Sequence, residues 1–132
     1  MGLDPAVARD LLEAARAVRR RAYAPYSKFR VGAALRGDDG RIYAGANVEN
    51  ASYGLTVCAE RAAVAAAVAA GVQRIEAVAV VGDRPIPPCG ACRQVIAEFG
   101  PAAIVIWEDG AGGYVERGIR ELLPDPFKLA AE

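Results

Sequence analysis

The sequence predicts a three-layer α/β/α domain with a mixed sheet of about five strands. Three observations lead to this fold class: an amphipathic helical pattern opens the chain, two alternating runs follow it, and two continuous apolar runs flank a further helical segment. With 132 residues, the chain is expected to form a single domain spanning residues 1–132.

The first predicted element is a helix over residues 4–22. Asp4 is suited to cap it, and Pro5 is suited to its first turn. Apolar residues recur in this segment at helical spacing. They are Val7, Leu11, Leu12, Ala15, Val18 and Ala22.

A β-hairpin and a second helix come next. The runs "FRVGAALRG" and "RIYAGANVEN", residues 29–37 and 41–50, alternate with a period of two and are joined by "DDG". Residues 57–71, "VCAERAAVAAAVAAG", have helical composition. Since residues 62–70 are small and apolar on all sides, we expect this helix to be buried all round, within one chain or against a second copy.

The second half of the chain predicts a parallel strand pair. The apolar runs 74–82 and 102–108 flank the helical segment 88–100, as in two buried parallel strands joined by a crossover helix. Residues 114–118 predict a short last strand, and residues 119–124 predict a closing helical turn.

Composition limits the classes of partner. Sixteen basic and sixteen acidic side chains give a formal net charge of zero, which does not favour a protein that grips nucleic acid. No apolar run approaches the length of a membrane span and no leader pattern opens the chain, so we expect a cytoplasmic protein without a membrane partner. Hydrophobic residues make up 54% of the chain, which favours an oligomer.

The chain has three cysteines, Cys58, Cys89 and Cys92, and no histidine. Three interpretations compete: a dithiol redox pair in "CGAC" with a spare thiol, buried unreactive cysteines, or a metal site. Soft thiolate ligands would indicate zinc. Structural zinc sites are closed by four protein ligands, so three cysteines would leave one position open, which is typical of catalytic zinc.

Charged residues beside the first cysteine fit a catalytic site. Glu60 lies two residues after Cys58 and would act as a base for the water on the metal, although an acid in the first turn of a helix is also common without any function. Three thiolates give the site a net negative charge. Helix N-termini at the cysteines, with Arg61 or Arg93, would offset that charge.

The only two asparagines of the chain lie within the segment "NVEN". On an extended strand Asn47 and Glu49 would point to one face. An amide and a carboxylate suit the hydroxyls of a neutral ribose, and the carboxylate would repel a phosphate, which favours a free nucleoside. The alternative is that these residues merely form a turn.

Five blocks carry a family resemblance over residues 20–127. They are "RAYAPYSKFRVGAAL", "GANVENASYG", "CAERAA", "PCGACRQV" and "ELLPDPF". Together they resemble the small cytidine deaminases of the homotetrameric type, and "CAE" with "PCGACRQ" resembles the wider zinc deaminase signature. The resemblance implies one Zn²⁺ per chain and hydrolytic deamination of cytidine and deoxycytidine in pyrimidine salvage. It also implies a homotetramer whose active sites are completed by neighbouring subunits.

The resemblance also implies roles for individual residues. Glu60 would carry a proton from the zinc-bound water to N3 of the pyrimidine and then to the leaving ammonia. Asn47 and Glu49 would bind the ribose, and the amide of Ala59 would contact the base.

Aromatic side chains are implied around the substrate. Phe29 and Phe127 match family positions near the pyrimidine, with Phe127 often reaching in from a neighbouring subunit. Pro126 stands where the family often has alanine, which puts the position of the Phe127 ring in question. Tyr53 is a further candidate for a contact between subunits.

Three alternatives remain at this point. One is a relative with the same chemistry on another substrate, which the neutral charge and "NVEN" do not favour. A second is a zinc-stabilised interaction domain, in which Asp or Glu would close the metal site. The third is a dithiol oxidoreductase built on "CGAC", in which Cys58 would have no role.

Overall fold

In the computed structural model, which describes residues 2–129, the helices and strands alternate in the predicted order. The helices are α1 (Pro5–Arg19), α2 (Ala59–Ala69), α3 (Gly90–Phe99) and α4 (Ile119–Leu122). The strands are β1 (Gly32–Gly37), β2 (Ile42–Ala46), β3 (Ile75–Val81), β4 (Ile104–Glu108) and β5 (Tyr114–Gly118). Within residues 2–129, no helix combines the length and the apolar character that crossing a bilayer requires.

The five strands form one mixed sheet in the order β2-β1-β3-β4-β5. Strands β3 and β4 are parallel and α3 connects them, whereas the other neighbouring pairs are antiparallel. The predicted hairpin and the predicted parallel pair are both confirmed. The sheet therefore has the mixed topology expected from the sequence.

Two hydrophobic cores cover the two faces of the sheet. Helix α1 packs on one face through Ala8, Leu11 and Ala15, against small residues of the central strands. Helices α2 and α3 pack on the other face, where the core includes Leu35 and Ile96. The predicted three-layer α/β/α arrangement is confirmed, and both cores share one sheet.

Helix α1 ends three residues earlier than predicted. The Asp4 side chain caps its start as expected, but its last helical residue is Arg19, not residue 22. The N–H of Tyr23 donates to the carbonyl of Asn47, and the carbonyl of Tyr23 accepts from the N–H of Glu49. These bonds join the backbone of Tyr23 to the segment that follows β2, so the helix must end before Tyr23.

Both hairpin strands are shorter than the predicted segments 29–37 and 41–50. A helix packs closely against each strand at a glycine. A Cβ atom on Gly32 would lie 2.0 Å from the carbonyl oxygen of Ala15 in α1. A Cβ atom on Gly45 would lie 2.4 Å from the backbone nitrogen of Ala63 in α2. Glycine is required where two backbones approach so closely. The second contact fixes α2, and hence Cys58 at its start, against β2.

The alanine-rich helix is not buried all round within one chain, so of the two expected modes of burial the one within a single chain is excluded and burial against a second copy stays a prediction. Ala63 and Ala67 are fully buried, whereas Ala65, Ala66 and Val68 are exposed, Val68 by 42%. The helix packs on one side of the sheet, and one layer of neighbours covers only one face of a helix. Its outer face remains apolar and uncovered in the single chain.

Candidate metal centre

The N-termini of α2 and α3 bring the three cysteines together. Cys58 is the N-cap residue of α2, Cys89 is the N-cap residue of α3, and Cys92 lies in the first turn of α3. The side chain of neither N-cap cysteine caps its own helix, so both sulfur atoms are free for another partner. The partial positive charge of each helix N-terminus stabilises a thiolate there.

The three sulfur atoms have the spacing of a zinc site. The Sγ atoms of Cys58 and Cys89 are 3.9 Å apart, those of Cys89 and Cys92 are 3.5 Å apart, and all three lie within 4.8 Å of one another. Ligands about 2.3 Å from a tetrahedral zinc ion would place neighbouring sulfurs about 3.8 Å apart. The donor set therefore fits zinc. Cys58 belongs to the same cluster as the "CGAC" pair, which favours a metal site over a dithiol pair with an idle third cysteine.

This cluster is the one group of three or more potential Cys, His, Asp or Glu ligands found in residues 2–129. All three thiols are free, and their exposure differs: Cys92 is buried, Cys58 is half-buried and Cys89 is exposed. Because three cysteines supply three ligands, a tetrahedral ion here would keep one position for a small molecule. The geometry is that of an open site.

Arg61 offsets negative charge at the cluster. Its Nη2 atom lies 3.5 Å from the Sγ of Cys58 and 3.4 Å from the carbonyl oxygen of Thr56. The thiol of Cys92 and the guanidinium of Arg61 stabilise the Cys58 thiolate, so the pKa of Cys58 falls to about 5. The same contact with Cys58, together with burial, raises the pKa of Cys92. Of these two thiols, Cys58 is the one that ionises first.

Glu60 lies in a dry environment beside the cluster. Its side chain is nearly buried, with 5% exposure for the residue, and burial raises the pKa of its carboxyl from the ordinary 4.5 to about 7. It is close enough to Cys58 and Cys92 for both to influence that pKa. A carboxyl with a pKa near neutrality both accepts and releases a proton at physiological pH.

Ala59 lies between Cys58 and Glu60 as the first residue of α2 and is fully buried. Backbone N–H groups of a first helical turn have no acceptor within the helix. Such an N–H group is suited to donate to a molecule held at the metal position.

Asn47 and Glu49 both contact the segment 26–31, although β2 itself ends at Ala46. The Asn47 Oδ1 accepts from the N–H of Val31, and its Nδ2 donates to the carbonyl of Phe29, both at 2.9 Å. Asn47 is buried and supports the backbone on either side of residue 30. Its amide keeps one further donor hydrogen and one further acceptor lone pair.

Glu49 is held by the residues before Phe29. Its carboxylate accepts from the backbone N–H of Tyr26 at 2.9 Å, from that of Ser27 at 3.1 Å and from the Ser27 hydroxyl. The hydroxyl bond, with help from the backbone bonds, lowers the pKa of Glu49. Glu49 therefore stays ionised. The support from Tyr26 and Ser27 was not predictable, because nothing in the spacing of "NVEN" points to partners 22 and 23 residues earlier.

The aromatic candidates lie in three places. Phe29 is half-buried against the main core, and the guanidinium carbon of Arg84 lies 4.8 Å from its ring centre. Tyr53 is 76% exposed and packs edge-on against Tyr26, with the ring centres 6.3 Å apart. Phe127 is 70% exposed and lies beside α3, in the segment that follows α4. Residues 2–129 of one chain therefore leave Tyr53 and Phe127 largely exposed.

A cavity of about 280 Å³ joins several of these residues. Its lining is formed by Tyr26, Ser27, Glu49, Tyr53 and Thr56. Thr56 is also the residue whose carbonyl accepts from Arg61, so this cavity adjoins the segment that leads into Cys58. Thr56, which lines this cavity together with Glu49, lies two residues before Cys58 in the chain.

The sequence and the fold both match known proteins. A family model described as the cytidine and deoxycytidylate deaminase zinc-binding region matches residues 6–108. A cytidine deaminase of Halalkalibacterium halodurans is 50% identical over 120 residues, 89% of this chain and 91% of that protein. One from Mycobacterium tuberculosis is 47% identical over 110 residues, 82% of this chain and 80% of that protein.

Solved structures agree with this match. A crystal structure of cytidine deaminase from Burkholderia pseudomallei has a TM-score of 0.84 and 52% identity, covering 90% of this chain and 98% of that one. A cytidine deaminase structure from Mycobacterium tuberculosis has a TM-score of 0.81 and 43% identity, covering 92% and 97%. Sequence, fold and the thiol cluster lead to one conclusion: the chain belongs to the cytidine and deoxycytidylate deaminase family.

Proposed function

We propose that the protein hydrolyses cytidine and deoxycytidine to uridine and deoxyuridine with release of ammonia, using one Zn²⁺ per chain. The observation that carries this proposal is the arrangement at the start of α2 and α3. Three thiols within 4.8 Å of one another lie beside the buried carboxyl of Glu60, whose pKa is about 7. The relatives named above as cytidine deaminases support the choice of substrate.

Cys58, Cys89 and Cys92 would hold the zinc ion. When bound, zinc supplies Lewis acidity and an acidified water at the open ligand position. Glu60 takes up one proton of the attacking water and delivers it to N3 of the pyrimidine while the water oxygen bonds to C4. The same carboxyl then takes the proton of the new C4 hydroxyl and transfers it to the amino group, so that the C4–N bond breaks, a C4 carbonyl forms and ammonia leaves. The N–H of Ala59 donates to the base, and Arg61 holds the Cys58 thiolate.

Asn47 and Glu49 bind the ribose hydroxyls in this proposal. Asn47 retains one donor and one acceptor after its two backbone bonds, and ionised Glu49 accepts from hydroxyl groups. A carboxylate at this place repels a phosphate, so free nucleosides are preferred over nucleotides and nucleic acids. Phe29, fixed by Asn47 through its own carbonyl, packs beside the pyrimidine.

The active site is completed in a homotetramer. Large apolar side chains are exposed in the single chain on the segment before α2, on α2 itself and near the C-terminus. They include Tyr53, Leu55, Val68 and Phe127. Exposed apolar area of this kind favours contacts between copies, and a net charge of zero does not oppose them. In the tetramer, Phe127 and Tyr53 approach the substrate of a neighbouring subunit.

Residues 1–132 act as one domain, with pyrimidine salvage in the cytoplasm as the biological role. The two cores on one shared sheet support a single folding unit. Salvage is the role that fits free nucleosides as substrates. A strain that lacks its own cytidine deaminase and depends on cytidine as its pyrimidine source should grow when it expresses this protein.

The function is tested by ammonia release from cytidine, deoxycytidine, cytosine, CMP and adenosine. We expect turnover of the first two and kcat/KM at least tenfold lower for CMP. Metal analysis should give one zinc per chain, and light scattering should give four chains per particle. Absence of ammonia from cytidine and deoxycytidine in zinc-loaded protein would disprove the function. Faster turnover of CMP than of cytidine would disprove the role given to Glu49.

A further inference from the structure

Gln94, in the second turn of α3, holds the backbone of Phe127. Its Nε2 donates to the carbonyl oxygen of Phe127 at 3.0 Å, and its Oε1 accepts from the N–H of Phe127 at 3.0 Å. One side-chain amide thus binds both backbone groups of one residue, 33 positions later in the chain. We call this pair of bonds the Gln94 clamp.

The clamp acts on a segment that has little other support. Residues 123–129 form neither helix nor strand, and Phe127 and Leu129 are 70% and 91% exposed. Within residues 2–129, the hydrogen bonds that reach the backbone of Phe127 are those of Gln94. Pro126 has no N–H and a fixed φ, so it limits the approach to Phe127 without adding a hydrogen bond. Among the described residues, Gln94 therefore holds the backbone from which the exposed ring projects.

The clamp also ties Phe127 to the helix that carries two zinc ligands. Gln94 follows Cys92 by two residues, and its neighbour Arg93 donates to the carbonyls of Pro88 and Leu122. Helix α3 thereby fixes the residue before Cys89 and the end of α4 as well as Phe127. The backbone of Phe127 and two of the three cluster cysteines are thus held by one helix.

We infer that Gln94 is a positioning residue, which sets the direction of the Phe127 ring so that the ring can pack on the substrate of a neighbouring copy. This inference rests on the proposed function, in which Phe127 contacts that substrate. Gln94 itself does not touch the substrate. Its effect must therefore pass through Phe127, and this requirement separates a positioning role from a general contribution to folding.

A double-mutant cycle tests the inference. Gln94→Met removes both hydrogen bonds at similar side-chain length, Phe127→Ala removes the ring, and the third variant combines them. We expect Gln94→Met to raise KM for cytidine roughly tenfold, with kcat within about twofold, since loss of two hydrogen bonds releases the ring. In the Phe127→Ala background, Gln94→Met should have no further effect on KM. Glu98→Gln, an exposed change on α3, is the matched control and should leave KM unchanged.

A second readout does not depend on activity. Hydrogen exchange of the Phe127 amide should be faster in Gln94→Met than in the wild type and the Glu98→Gln control, with the same zinc content in all three. Unchanged exchange would overturn the clamp. Multiplicative losses in kcat/KM across the cycle, or an unchanged KM in Gln94→Met, would overturn the positioning role.

The outcomes separate this inference from the proposed function. If Phe127→Ala lowers kcat/KM while Gln94→Met does not, the positioning role fails and deamination with Phe127 stands. If Phe127→Ala deaminates cytidine with an unchanged KM, the ring has no role at the substrate and the positioning inference fails with it. If the wild type does not deaminate cytidine, the proposed function fails and the positioning role fails with it. Hydrogen exchange of the Phe127 amide then still tests whether the Gln94 clamp exists.

Discussion

Helices α2 and α3 begin alike and then differ. Each has an N-cap cysteine whose sulfur faces the same cluster, and each has an arginine in its first turns. On α2, Arg61 lies 3.5 Å from a cysteine sulfur, and Glu60 is buried next to the cluster. On α3, Arg93 donates to backbone carbonyls on either side of the helix.

The difference indicates a division of labour between two similar helix starts. The charged side chains of α2 act on the cluster and on whatever is bound there. The polar side chains of α3 fix the segments around it, including the segment that carries Phe127. In the proposed mechanism, the N-cap cysteines of both helices would hold the metal, whereas the side chains that follow them assign the proton transfer to α2.

Replacing Glu60 gives the largest effect that this comparison predicts. Glu60→Gln keeps the size of the side chain but cannot take up a proton from water. We expect kcat for cytidine to fall by about 10²- to 10⁴-fold, which is the usual contribution of a general acid-base group. Zinc content should stay at one per chain. Steady-state kinetics and metal analysis on the same preparation check both expectations.

The matched control is the same substitution on the other helix. Glu98→Gln changes an exposed glutamate of α3 and should retain full activity. If Glu60→Gln were as active as Glu98→Gln, Glu60 would not transfer the proton and the role assigned to α2 would be wrong. If it lost its zinc, Glu60 would act on the metal position and not on the substrate.

The comparison also shows what the sequence could and could not predict. Three cysteines without any histidine allowed few ligand combinations, but they left a metal site and a dithiol pair both open until the family resemblance was added. The mixed sheet could be predicted from the spacing of hydrophobic residues, because that spacing is a local property of each strand. The partners of Glu49 and Gln94 were not predictable, since they lie 22 and 33 residues away and depend on how irregular segments pass one another.

The early end of α1 and the exposed face of α2 have the same origin. Helix α1 ends at Arg19 because Tyr23 forms backbone hydrogen bonds with the segment after β2. No local sequence pattern predicts those bonds. Alanines on all sides of α2 predict burial, yet one face is exposed in the single chain. Periodicity describes what an element can bury. The neighbours decide what it does bury.

The pKa of Glu60 predicts a pH dependence of stability in zinc-free protein. The folded state raises this pKa from 4.5 to about 7, so it favours the protonated carboxyl. The resulting stabilisation is complete below pH 4.5 and is lost as the pH rises through 7, a loss on the order of 3 kcal/mol. Relative to wild type, zinc-free Glu60→Gln should therefore gain stability between pH 5 and 8.

The readout is the difference in unfolding free energy between these two proteins in denaturant titrations. The comparison with wild type is needed because Cys58 also makes stability depend on pH. Its pKa is lowered to about 5, so its contribution to stability grows as the pH rises, and both proteins contain it. A difference that stays constant from pH 5 to 8 would mean that Glu60 is solvated in the zinc-free protein.

Arg61→Met tests whether the arginine of α2 acts on the cluster. Without the guanidinium, the pKa of Cys58 should rise towards its ordinary value of 9, since one of the groups that lower it is lost. Zinc must then compete with a proton for this thiol. We expect zinc affinity to fall by about 10- to 100-fold at neutral pH, as for other groups that support metal ligands. Competition with a chelator of known affinity measures the change, and an unchanged affinity would contradict the role.

Arg93→Met is the matched substitution on α3, and its effect should be the smallest and of a different kind. The variant loses two hydrogen bonds to backbone carbonyls, one at Pro88 and one at Leu122. We expect the unfolding free energy of the zinc-loaded protein to fall by about 1 to 2 kcal/mol. Zinc affinity should change much less than in Arg61→Met, because Arg93 binds the backbone and not a sulfur atom.

Arg120→Met, an exposed change on α4, controls for the general loss of an arginine and should leave the unfolding free energy nearly constant. The decisive comparison is between the zinc affinities of Arg61→Met and Arg93→Met. If Arg93→Met weakened zinc binding as strongly as Arg61→Met, both helices would support the metal equally and the division of labour would be wrong. A loss confined to stability in Arg93→Met, and to zinc affinity in Arg61→Met, would place charge control on α2 and support of the surrounding segments on α3.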